Sequence, residues 1–538
     1  MRKCKYKFLR TSSLFSVLFL LYSLSLIKAQ DSTDFRKFMI KDDAALNSMI
    51  VASIGNLQIT AQEFITSYEF GPAFVKREKN SLRRYLDFMI YEKLLACEGY
   101  SKGVDSMPDV EMILSDIEGD LATEQLYRNN IWDNIQVSEQ EIDRAITKQQ
   151  VSFQLRWIYK PDYEAIKEQY EKIRQGMSFD SLFNGQFSDE VKREDRYLET
   201  NRFKLEKDNP ALAAIIDTLK IREVTPPIKT PDGYYLLRID NMSKNMITSE
   251  SEMNRLKYDM QKALVKARAD SLSDKYVHGL MMKENPVIIR ETLNILKAYL
   301  GHKILSPEKL KDWDLEKNIR PLYPDFNATG IDTYLNKVLV ELKTGNIALG
   351  EFIKWYTTRE PYIRFEKTSH QAFFLSLQQT IWRMVRDKLL TRLAFEENLQ
   401  NDEQVKREKK WWLDKLVYSR MKLDIAGSIK TDENKVRQYY ETNRKRYVDK
   451  DGNIRSFEEA EADVRNDLYT YEYTKRVVNM VLGLKERIPV KINEGVLKRL
   501  PIEDKEDSRT IDVYSVKKGG TFMRQAYPTI DYEWQFWN

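Results

Sequence analysis

Hydrophobic and polar positions follow two different periods along the chain, and the changes of period mark the expected elements. Val51–Thr60 alternates around a Gly-Asn pair, which predicts a short β-hairpin. Apolar residues then recur every three or four positions over 82–98 and 110–131, which is the helical period. The segment 138–141 has the capping-box pattern that starts a helix. The sequence up to residue 150 therefore predicts a hairpin arm followed by helices.

The pattern changes in the next part of the chain. Val151–Tyr159 alternates and is rich in aromatic residues, so it is expected to be a strand. Helical periodicity follows at 163–175, 179–187 and 210–219, and a hairpin is expected at 228–239. This β-α-α-α-β-β order predicts a small α+β domain, after which long helices return.

The arm and its helices recur in the second half of the chain. Three landmarks reappear in the same order 288 to 295 residues later: 55–65 at 345–353, 89–95 at 384–390, and 138–140 at 431–433. The second copy shows no α+β insert. The order of the landmarks predicts two copies of one structural unit.

The first 29 residues have the organisation of a secretory signal peptide. Basic residues from Arg2 to Arg10 precede the apolar run Leu14–Ile27, and Ala29 offers a small residue for cleavage. This run is shorter than the roughly 20 residues that span a bilayer. We therefore expect export and a periplasmic location. The sequence leaves open whether the segment is cleaved or stays as an inner-membrane anchor.

The net charge of +5 comes from the signal segment. That segment holds six basic residues and no acidic one, so the rest of the chain has a net charge of −1. A chain this close to neutral gives no electrostatic case for binding nucleic acid. The sequence also lacks the glycine-rich loops that cradle nucleotide phosphates. We expect neither a nucleic acid nor a nucleotide as a partner.

The cysteines and histidines offer no metal or cofactor site. Cys97 is the only cysteine after the signal segment, and it lies on an apolar helix face where a buried thiol is expected. His278, His302 and His370 are too far apart in sequence to form a known ligand spacing. We therefore expect no cofactor and no metal.

The first half resembles the SurA, PrsA and PpiD group of exported folding factors. These families open with an arm of the type V-x-x-V-N-G-x-x-I-T-x-x-E-F, which stands here as Val51–Phe64 with the Asn-Gly order reversed. Their next helix matches Met89–Leu95, and the cap before their isomerase domain matches Val137–Ile142. The resemblance covers residues 50–300 and, more weakly, 331–500.

Residues 153–241 resemble a parvulin domain, the peptidyl-prolyl isomerase module of these families. Arg156–Tyr159 lies where parvulins have R-H-I-L, and Gly176–Leu182 matches G-x-d-F-x-x-l. Ser188-Asp189 and Val224–Tyr235 match two further motifs.

Two positions depart from the parvulin pattern. Trp157 and Tyr235 stand where parvulins have a pair of histidines beneath the prolyl site, and no histidine lies between 151 and 241. Lys192–Tyr197 replaces a glycine-rich loop of the family. The resemblance therefore carries over no catalytic residue. An active isomerase stays an alternative, because twisting an amide needs a shaped pocket rather than covalent chemistry.

Five aromatic residues are candidates for binding clients. Trp157, Tyr235 and Phe179 belong to the parvulin-like segment, where the first two either cradle client side chains or fill the volume of the lost site. Trp411 and Trp412 are adjacent on a predicted helix and point about 100° apart, so one of them is expected to be exposed or at an interface. Ordinary helix packing is the alternative for this pair.

The expected fold is mainly α with an inserted α+β domain, in which two SurA-like helical modules surround one parvulin-like domain. The expected domains are the signal peptide 1–29, a module of 49–150 plus 245–300, the parvulin-like domain 153–241, a second module 331–500 and a tail 503–538. The sequence leaves open whether the aromatic end of the tail docks on a partner or a membrane or packs back on its own chain.

The function expected from this organisation is that of a periplasmic, ATP-independent holdase for unfolded or nascent outer-membrane and secreted polypeptides. An active peptidyl-prolyl isomerase is the first alternative. An assembly or structural factor of an envelope complex is the second.

Overall fold

The computed structural model describes residues 43–187, 191–230, 232–246, 249–310, 330–430, 432–502 and 526–536. Three sequence expectations lie outside these ranges: the signal peptide at 1–29, the Ser188-Asp189 motif, and the tail residues 503–525 and 537–538.

The structure contains strands and helices in the following order. The strands are β1 (Ile50–Ile54), β2 (Leu57–Thr60), β3 (Val151–Lys160), β4 (Tyr197–Asn201), β5 (Ile228–Thr230), β6 (Gly233–Lys244), β7 (Val287–Ile288), β8 (Val338–Leu342), β9 (Gly345–Ala348) and β10 (Val490–Ile492). The helices up to the end of the α+β domain are α1 (Ala44–Ser48), α2 (Ala61–Phe70), α3 (Ala73–Lys76), α4 (Ser81–Ser101), α5 (Pro108–Asn130), α6 (Glu139–Gln150), α7 (Tyr163–Arg174), α8 (Phe179–Asn184), α9 (Arg202–Asp208) and α10 (Pro210–Ile216). The later helices are α11 (Glu250–Glu284), α12 (Arg290–Ile304), α13 (Pro307–Leu310), α14 (Leu349–Arg359), α15 (His370–Glu396), α16 (Glu403–Gly427), α17 (Glu433–Asn443), α18 (Phe457–Arg487) and α19 (Glu494–Leu497).

The chain forms two compact units. One unit is Ile131–Asp274, and the other combines the chain up to Asn130 with the chain from Lys275 onward. A mainly helical chain with an inserted α+β domain is confirmed. Within the described ranges, no helix combines the length and the apolar character that crossing a bilayer requires.

The predicted hairpin arm occurs twice in the helical unit. β1 pairs with β2, and β8 pairs with β9, in both cases antiparallel. Each ladder shifts register at its start, after Ile50 in the first copy and after Val338 in the second. Each second strand runs directly into a helix, α2 or α14. The repeat seen in the sequence is therefore a repeat of structure.

Each hairpin takes its third strand from the other copy of the repeat. β7, which follows the helices of the first copy, pairs with β8 of the second; β10, which follows the helices of the second copy, pairs with β1 of the first. The segments 286–291 and 489–494 share the pattern Pro-Val-x-Ile-x-Glu. The two copies thus exchange equivalent strands.

The spacing of equivalent positions locates the insert. The helix caps Ser138 and Asp432 are 294 residues apart, whereas the prolines before the exchanged strands, Pro286 and Pro489, are 203 apart. The first copy therefore holds 91 more residues between these points. The α+β domain accounts for this excess.

The strand exchange decides which helices share a core. The sequence analysis expected 245–300 to complete a module with 49–150. Ile131–Asp274 instead form a unit of their own, and 293–300 belong to a core with 331–389. The core of the first hairpin is completed by the last helices and tail: Val417, Tyr418, Met421, Val477, Val481, Leu484, Leu497, Leu500, Ile530 and Trp534. The reason is that α18 leads into β10, which lies on the first sheet, whereas α11 leads into β7, which lies on the second.

Helix α4 crosses α16 at close range. A side chain at Gly99 would place its Cβ 2.4 Å from a methyl of Val417, so this position requires glycine. On the same helix, the Cys97 Sγ lies 3.4 Å from the carbonyl oxygen of Ile54. Burial raises the pKa of this thiol to about 11, which keeps it protonated at neutral pH. Cys97 is therefore a packing residue, as expected from the sequence.

A buried lysine joins the N-terminal arm to the second copy. Lys93 Nζ on α4 lies 2.7 Å from Glu63 of α2 and 2.5 Å from Asp414 of α16, and all three side chains are buried. Burial disfavours the charge on Lys93, but the two carboxylates outweigh it and raise the lysine's pKa. The equivalent pair of the second copy, Lys388 and Glu351, is 2.5 Å apart but partly exposed.

The α+β unit contains a four-stranded antiparallel sheet of order β4-β3-β6-β5. α9 and α10 cover one face, and α7 and α8 cover the other. Outside the sheet, Ile142, Ala145 and Ile146 of α6 pack on Met260 of α11. The sequence analysis missed β4 and α9. Of the two helices on the α9–α10 face, only α10 was predicted, because Asn209 caps that helix and Pro210 occupies its first turn, which is the strongest helix-start signal in this stretch.

We predict that Lys93→Met lowers the free energy of unfolding by about 3 kcal/mol, because it leaves two buried carboxylates without a counter-charge. Urea denaturation followed by circular dichroism measures this. Lys388→Met is the matched control. It should lower the free energy of unfolding by only about 0–1 kcal/mol, because the ion pair of Lys388 is solvated. If the two variants lose the same free energy of unfolding, burial is not what makes the Lys93 ion pairs stabilising.

Candidate functional site

The candidate site lies on one face of the α+β sheet. β3 and β6 are antiparallel neighbours in which Trp157 pairs with Leu237 and Tyr159 with Tyr235. Because side chains alternate between the faces of a strand, these four side chains share one face. Trp157 is half-buried there and packs on the core formed with α9 and α10. The structure thus brings together the two residues that replace the parvulin histidines.

Two tyrosines extend this face beyond the core. The rings of Tyr159 and Tyr235 lie 5.1 Å apart, and both are half-buried. The guanidinium of Arg196 lies over the Tyr159 ring at 5.1 Å from its centre. Such a cation–π contact fixes the arginine without consuming its hydrogen-bond donors.

The turn between β5 and β6 holds both phenols in place. Tyr235 donates its hydroxyl hydrogen to the Asp232 carboxylate, and Tyr159 donates to the Asp232 carbonyl at 2.6 Å. Burial, together with the bond to Asp232, raises the pKa of Tyr235 to about 12, so the phenol is protonated at neutral pH. Gly233 follows with a φ of +152°, and a Cβ there would lie 2.6 Å from the Tyr159 ring. Glycine at 233 therefore lets the Tyr159 ring lie against the turn.

Gln186 covers the open edge of β3. β4 pairs with β3 only as far as Arg156, which leaves the following backbone groups without a neighbouring strand. The Gln186 amide donates to the Trp157 carbonyl at 3.1 Å, and its oxygen accepts from the Tyr159 amide at 3.4 Å. The side chain thus replaces a strand at the position of the two aromatic residues.

Phe179 is not part of this surface. It is buried on the opposite face of the sheet against Phe183, Ile158 and Leu236. The guanidinium of Arg238 covers its ring at 4.3 Å. Its burial makes Phe179 a core residue, so it is not available for binding clients in this structure.

Trp411 and Trp412 also lie against other helices. Trp411 is 7% exposed and lines a small, partly open cavity of about 30 Å³ beside Lys93. Trp412 is half-buried and packs on Ile117 and Leu121 of α5. Neither indole is strongly exposed, so both tryptophans take part in ordinary helix packing, which was the alternative to client binding.

The site can bind but offers little for proton transfer. It presents an indole, two phenols and a guanidinium, and the segment 151–241 contains no histidine. In the described ranges no group of three or more His, Cys, Asp or Glu side chains is placed to hold a metal. Sequence reasoning missed Tyr159, Arg196 and Gln186. Tyr159 could have been found, because it lies two residues after Trp157 on a predicted strand.

Among the comparisons with known proteins, a family model matches the segment that contains this domain. The family model of the PPIC-type PPIASE domain matches residues 137–252. No curated protein matches the chain. Among solved structures, the peptidyl-prolyl isomerase PrsA of Bacillus anthracis is 16% identical over 36% of this chain and 96% of its own, with a TM-score of 0.21. PrsA of Bacillus subtilis is 16% identical over 43% and 93%, with a TM-score of 0.16. The foldase protein PrsA of Streptococcus pneumoniae is 14% identical over 40% and 85%, with a TM-score of 0.20.

The matched residues include the whole four-stranded sheet and the helices on both of its faces. The match begins just before α6 and ends just after the start of α11. This protein is therefore a mainly helical chain that carries a PPIC-type, or parvulin-type, peptidyl-prolyl isomerase domain.

Proposed function

We propose that the protein is an exported, ATP-independent holdase chaperone for unfolded or nascent envelope polypeptides. The observation that carries this proposal is a PPIC-type domain whose sheet face presents Trp157, Tyr159 and Tyr235 instead of histidines. Aromatic rings with a polar tip bind exposed apolar segments without requiring one exact sequence. The pattern at 1–29 supports export and a periplasmic location.

The helical unit offers further apolar surface for weak contacts. On α15, Leu375 is 58% exposed and Trp382 is 37% exposed, and the two lie seven residues apart on one helix face. Exposed apolar side chains of this size favour contact with unfolded chains. Several weak sites on one protein increase the overall affinity for a long flexible client.

Peptidyl-prolyl isomerisation is the second candidate, and the family match at 137–252 favours it. Isomerisation needs only a site that stabilises the twisted amide. The Tyr235 phenol already donates its one hydrogen to Asp232, so a donor to the twisted amide would come from the Arg196 guanidinium that lies over the Tyr159 ring.

We predict that the mature protein isomerises short prolyl peptides at least about 100-fold more slowly than a parvulin that has both histidines, because a preorganised polar site is worth about that factor. A protease-coupled peptide assay measures the rate. The matched control is Trp157→Ala with Tyr235→Ala, which should change the residual rate little. Activity equal to that of the histidine-containing parvulin would contradict the holdase proposal in favour of the isomerase.

We predict that removal of the sheet domain removes one client surface but spares much of the holding activity, because the exposed apolar side chains of the helical unit, such as Leu375 and Trp382, remain. Val151 pairs directly with Lys244, so a deletion of 152–243 joins two adjacent backbone positions. Light scattering of an aggregating unfolded β-barrel protein measures holding. Loss of holding while circular dichroism shows intact helices would instead make the sheet face the main client site. Trp157→Ala and Tyr235→Ala would then reduce holding in the full chain.

A further inference from the structure

The C-terminal segment, residues 526–536, lies on the N-terminal core. Trp534 is 4% exposed and Ile530 is 3% exposed, and both belong to the core of the first hairpin. Of the two alternatives for the aromatic tail, the described part thus packs back on its own chain. We call the surface of α2, α3, α4, α16 and α18 that it covers the tail groove.

The first anchor of the segment is a carboxylate between two lysines. Asp531 lies 2.8 Å from Lys415 Nζ and also pairs with Lys422 of the same helix. The Tyr418 hydroxyl donates to Asp531 at 2.8 Å. Burial disfavours the charge on Asp531, but the two lysines outweigh it and hold the carboxyl pKa below its ordinary value. The tail groove therefore contains a built carboxylate site.

The second anchor is an aromatic ring three residues later. The Trp534 indole stacks on Phe88 with ring centres 5.8 Å apart. Its Nε1–H donates to Glu92 at 2.9 Å, and Glu92 also accepts from the Asp531 amide at 2.8 Å. Glu92 is buried and paired with Lys415 at 2.7 Å. The two anchors thus share one charged network inside an aromatic groove.

The segment has two further aromatic contacts with the groove. The Tyr527 ring lies 4.9 Å from that of Phe70, and the Tyr532 ring lies 5.4 Å from that of Phe74. Tyr532–Phe536 form a 3₁₀ turn, in which positions three apart lie on the same side, so Asp531 and Trp534 both face the groove. The groove therefore binds a short peptide through its side chains.

The segment is attached in a way that permits its departure. It forms no strand with either sheet of the helical unit, since those sheets are β10-β1-β2 and β7-β8-β9. Its release therefore breaks side-chain contacts and ion pairs but no ladder of backbone hydrogen bonds.

We propose that the tail groove is an exchangeable peptide-binding site, which the C-terminal segment occupies in the resting protein. The incoming partner is a segment of an unfolded client that can form the same short 3₁₀ turn and has a carboxylate followed three residues later by a tryptophan or phenylalanine. The two lysines select the carboxylate, and Phe88 with Tyr418 selects the ring. This inference rests on the proposed holdase function, in which the tail acts as a built-in competitor.

Binding of a labelled peptide with the sequence of residues 526–536 to the full-length protein tests this. The variant Asp531→Asn with Trp534→Ala weakens the internal competitor, so we expect it to bind the peptide at least about tenfold more tightly than the wild type. A peptide with lysine at the position of Asp531 should lose this binding. Gln535→Ala is the matched control, because Gln535 follows Trp534 directly but is neither an anchor nor one of the two further aromatic contacts, and this variant should bind like the wild type.

Three outcomes would overturn the inference. The first is a folded double variant that does not bind the peptide. The second is a double variant that forms dimers in which tails exchange between copies, because the partner would then be a second copy. The third uses the wild type, so it does not depend on the folding of the double variant. We expect hydrogen exchange of the Trp534 indole N–H to be faster than that of the backbone amides of α4, because the tail opens locally. If the indole and the α4 amides both exchange only at the rate of global unfolding, the tail does not dissociate from the groove and the inference is wrong.

The assay of aggregating β-barrel protein separates this inference from the proposed function. We expect the double variant to suppress aggregation more strongly than the wild type. Peptide binding without suppression by either protein would leave the groove as a peptide site and contradict the holdase function. Suppression by both proteins without peptide binding would overturn this inference alone.

Discussion

The strand exchange between the two copies of the repeat is the constraint on which the helical unit depends. Each hairpin supplies two strands, and the third arrives from the far end of the other copy. Neither sheet is complete until both copies are folded. Two further contacts connect the copies. α4 of the first copy crosses α16 of the second at close range, and the buried Lys93 pairs with one carboxylate from each copy. Because a broken buried ion pair is costly, these contacts favour one mutual arrangement of the copies.

The position of the α+β domain follows from the same repeat. The copies match before and after it, and its two ends are paired strands at Val151 and Lys244. A domain inserted in this way can change its surface without altering the exchanged strands. In this chain the fold is that of a PPIC-type domain, and one face of its sheet presents the aromatic side chains of Trp157, Tyr159 and Tyr235.

Local patterns of the sequence predicted much of the fold. Alternation, helical period, caps and turns, which are patterns of a few residues, predicted the hairpin arm, the long helices and the α+β domain. The recurrence of such patterns in the same order predicted the repeat. The strand exchange has no such signal, because β7 and β10 are two and three residues long and their pairing joins residues that are distant in sequence. β4 was missed because its five residues, Tyr197–Asn201, are largely polar. Burial at single positions depends on the tertiary packing and was also hard to predict. Phe179 belongs to a motif but faces the core, and the sequence left open whether Trp534 binds a partner or packs on its own chain, where it fills a groove.

The central claim is that this protein holds unfolded chains on aromatic and apolar surfaces rather than acting as an isomerase. Site-specific photo-crosslinking to a purified unfolded β-barrel protein tests it most directly, with the crosslinker placed at Tyr159 or Trp382 and, as a buried control, at Phe179. The account predicts crosslinks from the first two positions and none from Phe179. Equal, background-level crosslinking from all three positions would contradict it.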